Sequence, residues 1–139
     1  MKILLFVVSF WLTILPTANA MKLDLQKWTP IITTNQAKVW YNRRNFSYHE
    51  TVKKDKDSVV INTELCFFSP SDDMYFISQI ECLPFDNQIT FLTRTVYDSN
   101  SDEELEYLVY SPPQVQYATK GTLSDDIVNE LYLAALTMD

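Results

Sequence analysis

A single imidazole, His49, sits beside Glu50 in a polar stretch. A serine hydrolase holds its nucleophile on a strained turn near an oxyanion hole, a device usually written G-x-S-x-G. The chain has one glycine, Gly121, and no such motif. His49 therefore reads as a surface histidine in a polar loop rather than a general base. Zinc asks for about three protein ligands of suitable type. His49 with Cys66 and Cys82, which form no C-x-x-C, does not supply them. Asp98-Ser99-Asn100-Ser101-Asp102 matches the first three oxygen positions of an EF-hand loop, then departs from it. Glu103 stands where Gly is needed and Val109 where the bidentate Glu belongs. The run reads as an acidic hairpin tip. The expectation is a non-enzymatic chain with no catalytic residue, no cofactor and no bound metal.

Aromatic residues offer a different chemistry. Tyr41, Tyr48, Tyr75, Tyr97, Tyr107, Tyr110 and Tyr117 are many for a chain of 139 residues. They fit either the core and rim of a sheet or a flat recognition face, since tyrosine is enriched where proteins meet partners. Asn45-Phe46-Ser47 fits the N-glycosylation pattern, which carries meaning only in a eukaryotic secretory pathway.

The N-terminus says where the chain goes. Lys2 is followed by an uncharged run over residues 3–15, then by Pro16 and Ala18-Asn19-Ala20. That is the layout of a cleavable signal peptide, with the cut between Ala20 and Met21. The apolar run is shorter than the roughly 20 residues a spanning helix needs. Residues 1–20 are thus expected to be removed, leaving 21–139 as one exported, soluble domain. With Lys2 gone from a net charge of −7, that domain carries −8. So acidic a domain is a poor partner for nucleic acid, which requires clustered Lys and Arg. It suits a basic protein partner better.

Export also bears on the cysteines. An oxidising compartment makes a Cys66–Cys82 disulfide the expectation, worth about 3 kcal/mol for so short a loop. A turn over residues 69–73 that pairs Phe68 with Met74 would set Cys66 opposite Phe76, so the bridge requires a longer turn or a bulge. Two free thiols are the alternative.

These groups must be carried by a sheet. Runs rich in aromatic and β-branched residues recur at 28–33, 38–41, 58–68, 74–83, 88–97 and 105–110, with a short edge at 115–119. Turn residues separate them, which favours an antiparallel meander of about six strands. The mixed-charge stretch 53–57 reads as a solvated loop. The period then changes. Ser124 is the expected N-cap of a helix over 125–137, with Asp125 and Asp126 in its first turn. Ile127, Leu131, Ala134, Ala135 and Met138 follow at helical spacing. An α+β domain results, its C-terminal helix packed on one face of the sheet, with Ile127 and Leu131 buried and Asp126 and Glu130 in water.

Certain segments also carry a family likeness. Lys27-Trp28-Thr29-Pro30-Ile31-Ile32 forms an opening strand around a Trp, and Val39-Trp40-Tyr41-Asn42 a short tyrosine-bearing strand. Phe76-Ile77-Ser78-Gln79-Ile80-Glu81-Cys82 ends on an acidic residue and Cys. Tyr117, Gly121-Thr122 and the terminal helix close the chain. In this order they resemble the surface-adhesin protein E-like family of small exported Gram-negative proteins. The resemblance implies an antiparallel sheet with a C-terminal helix across one face, and binding of host matrix and serum proteins. Family members usually pair the Cys at the position of Cys82 with one in the terminal helix. Residues 131–135 hold none, which leaves Cys66 as a replacement partner or both thiols free. The named adhesin is lipid-anchored through a Cys that this chain lacks, so the resemblance points to the periplasm or the medium. No family binding segment maps onto residues here. A periplasmic inhibitor or immunity protein that neutralises a basic enzyme or toxin is the second expectation, on charge.

Overall fold

The computed structural model describes residues 27–34, 37–68, 71 and 73–138. The expected cleavage point between Ala20 and Met21 lies outside them. Seven strands form one antiparallel sheet: β1 (Trp28–Thr33), β2 (Lys38–Asn42), β3 (Ser47–Lys53), β4 (Lys56–Phe68), β5 (Met74–Leu83), β6 (Gln88–Asp98) and β7 (Glu104–Tyr117). One helix follows, α1 (Leu123–Leu136). The sheet order is β1-β2-β4-β5-β6-β7, with β3 also on β4. This is the expected α+β architecture.

β2 and β3 share one edge of β4. β2 pairs Lys38 to Tyr41 with Phe68 to Leu65, and β3 pairs Ser47 to Lys53 with Asn62 to Lys56. Between them the 3₁₀ turn Arg43–Asn45 breaks the strand, held by the Asn42 side chain, which accepts from the Arg44 N–H at 3.1 Å. β3 was not expected, and His49 lies on it opposite Val60 rather than in a loop. The stretch read as a solvated loop is the β3–β4 hairpin. Its central residues Lys54 and Asp55 both have positive φ, 52° and 64°, as a two-residue turn of the hairpin hand requires.

α1 lies across one face and touches β1, β4, β5 and β6. Ile127, Val128, Leu131 and Ala135 pack there with Val39, Ile61, Leu65, Ile80, Cys82 and Ile89. Asp126 and Glu130 face solvent. The cap is Thr122, two residues before the expected Ser124. Its hydroxyl accepts from the Asp125 N–H at 3.4 Å, and the Asp125 carboxylate accepts from the Gly121 N–H at 3.0 Å. Ser124 instead bonds the Gln116 side chain at 2.8 Å and ties the helix start to β7.

The Cys66–Cys82 disulfide does not form; both cysteines are free and buried. Phe68 pairs with Tyr75, one residue beyond the expected Met74, so Cys66 stands opposite Ile77 while Cys82 stands opposite Ile61. Alternation along the strands then separates them. Cys82 belongs to the cluster under the helix and Cys66 to the cluster on the other face. A bridge would have to pass through the sheet, which disulfide geometry does not allow.

Candidate protein-binding face

Among the described residues no helix covers the second face of the sheet. Pairing fixes which side chains share it. One row runs from Pro30 through Trp40, Cys66, Ile77 and Thr95 to Tyr107. The next runs from Lys38 through Phe68, Tyr75 and Tyr97 to Glu104. Trp28, Cys66, Phe68 and Tyr75 form a small buried cluster here, with Trp40, Ile77 and Tyr97 packed around it. Cys66 is buried without a helix above it because these large side chains surround it.

The face is fixed by specific contacts. Tyr75 and Tyr97 stack with ring centroids 5.1 Å apart. The Tyr75 hydroxyl donates to Asp102 Oδ1 at 2.7 Å, which ties the β6–β7 tip to β5. Burial, the bond to Asp102 and the nearby negative charge all push the Tyr75 phenol up from its usual range. Burial and the Glu104 carboxylate push Tyr97 the same way. Both rings therefore stay neutral at physiological pH. Asn42 Nδ2 donates to Glu64 Oε1 at 2.7 Å, so this buried amide is satisfied.

Toward β7 the face becomes both apolar and exposed. Tyr107 is 59% exposed, Val109 56% and Tyr117 70%, with Val115 also open. The sequence predicts a strand over 105–110 and a separate short edge over 115–119. They are one strand, Glu104–Tyr117, interrupted where Val109 pairs with Thr93 and Gln114 with Phe91. Its apolar density resembles that of a buried strand, yet nearly all its side chains are exposed.

The remaining chemical candidates lie elsewhere. Asp98 Oδ1 accepts from the Asn100 and Ser101 N–H groups at 2.7 and 3.1 Å, and Asp102 accepts from Tyr75. These oxygens build the tip itself. Among the described residues no group of three or more His, Cys, Asp or Glu stands where it could hold a metal. A hollow of about 580 Å³ opens between the β3–β4 hairpin and the end of α1, where Tyr48, Glu50, Asp57 and Tyr132 meet apolar Phe85 and Leu136. A second of about 500 Å³ adjoins it beside Lys53, Lys54 and Lys56.

Compared with known proteins, the chain matches no family model, no curated protein and no solved structure.

Proposed function

We propose that this chain is an exported, non-enzymatic binding protein that engages a protein partner through the helix-free face of its sheet. The exposed tyrosine and valine side chains of β7, continuous with the aromatic rows of β2, β5 and β6, carry this reading. Contiguous apolar surface of this kind marks interaction sites, and tyrosine is favoured in them. The resemblance to the surface-adhesin protein E-like family agrees with it and suggests host matrix or serum proteins as partners.

A second reading is favoured by charge: an inhibitor or immunity protein for a basic enzyme or toxin, acting in the periplasm or the medium. The two are separated by capture on immobilised protein from host serum and matrix, set against capture from the producer's own toxins and lytic enzymes. In either case the bound protein should be retained by the native chain and lost by Tyr107→Ser with Tyr117→Ser, while thermal melting stays unchanged. Retention by that double variant would remove the face from consideration.

A further inference from the structure

We propose that β7 accepts an extended strand from a basic partner along residues 106–110, lengthening the sheet by one strand. This rests on the binding role proposed above, and adds the mode of binding and the partner's chemistry.

Among the described residues β7 ends the sheet and pairs with β6 alone. Its outer edge thus presents a row of backbone N–H and C=O groups ready to pair with another chain. Natural edges are usually blunted by proline, by lysine or by a bulge. The far half of β7 is blunted in that way. Pro112 and Pro113 have no N–H to donate, and the ladder shifts between Val109 and Gln114. The near half has a ladder shift of its own only at its start, between Glu104 and Glu106; from Glu106 to Val109 its pairing with β6 is regular. Residues 106–110 contain no proline and no basic residue, and their length suits one ordinary strand of about 5–6 residues. A strand laid there would set alternate side chains beside Tyr107 and Val109, exposed apolar partners for a cross-strand pair.

Charge selects the occupant. Asp98, Asp102, Glu103, Glu104 and Glu106 cluster at this end of the sheet, with Arg94 bound to Glu106 at 3.3 Å as their basic neighbour. A second copy of the chain would bring two such sets together, which like-charge repulsion opposes. A strand alternating basic and apolar residues meets both the carboxylates and the apolar face.

The test uses the protein with a synthetic peptide that alternates lysine and valine, and with its glutamate–valine counterpart. Two further forms of the lysine peptide carry N-methyl groups on alternate amides, one in each phase. Strand addition predicts binding of the lysine peptide but not the glutamate one. One methylation phase should abolish binding and the other should spare it, because only alternate amides face β7. Glu106→Lys should weaken binding about tenfold. Equal behaviour of the two phases would overturn strand addition, while the binding face itself would stand if Tyr107→Ser with Tyr117→Ser still lost its captured protein. Absence of lysine-peptide binding, or self-association through β7 at neutral pH and low salt, would likewise overturn the proposal.

Discussion

Both thiols are deeply buried, and burial pushes each up to about 12 from an ordinary value of 9. For Cys66 the Glu64 carboxylate adds to that effect. Two consequences follow at this scale. A thiol reagent at pH 8 should find none in the native chain, because the thiolate is the reactive form. In denaturant without reductant it should find two per chain; a count of zero there would restore the disulfide. The second consequence is a stability profile. The folded pKa lies above the unfolded one, so the contribution is complete below pH 9. It is lost as pH rises toward 12, since the unfolded chain sheds protons first. Each thiol should give a loss of up to about 1.4 kcal/mol per pH unit in that window. Denaturant melts of the native chain and of Cys82→Ala across it should show the variant with the shallower decline. Parallel curves would mean that Cys82 is not held neutral by burial.

At the scale of elements, the helix closes the core from one side. Leu131 is fully buried among Val39, Ile61 and Leu65, while Glu130 faces water. Leu131→Ala should therefore cost about 2–5 kcal/mol, and Glu130→Ala should stay within about 0.5 kcal/mol. Equal small losses in denaturant melts would mean that the helix does not close the core. The helix was legible because four-residue apolar spacing has one natural outcome beside an apolar sheet face. β1 and β5 were legible to their ends for a similar reason, since turn residues bracket each apolar run. β3 was not. Ser47-Tyr48-His49-Glu50-Thr51-Val52-Lys53 is mostly polar and mostly exposed, so its pairing with β4 leaves little trace in side-chain pattern. Its hairpin turn uses Lys54 and Asp55 at positive φ, where the usual signal is glycine or asparagine. The helix cap was misplaced for want of geometry, because Thr122 and Ser124 are equally good capping residues by type.

At the scale of the whole molecule, the described residues place one helix on one sheet and leave the other face and the β7 edge open, and this explains why the candidate site was only half legible. Tyrosine number hinted at a recognition face, but apolar residues at 104–110 look the same whether a strand is central or at an edge; only the order of strands decides. An open apolar edge invites self-pairing, and in this molecule net charge opposes it. The sequence pI is about 4.6, so at neutral pH every copy repels every other and the acidic end of β7 repels its own image. As pH falls toward the pI that repulsion disappears while the apolar side chains of Tyr107 and Val109 are unchanged. Sedimentation velocity should find monomers at pH 7.5 and concentration-dependent association near pH 4.6. Added salt at pH 7.5 should move the molecule in the same direction by screening. Val109→Lys should suppress association under both conditions, since a charge on the open edge is the usual protection against pairing. If Val109→Lys associates as the native chain does, some other surface drives the contact, and the β7 edge loses its claim to be the sticky part of this fold.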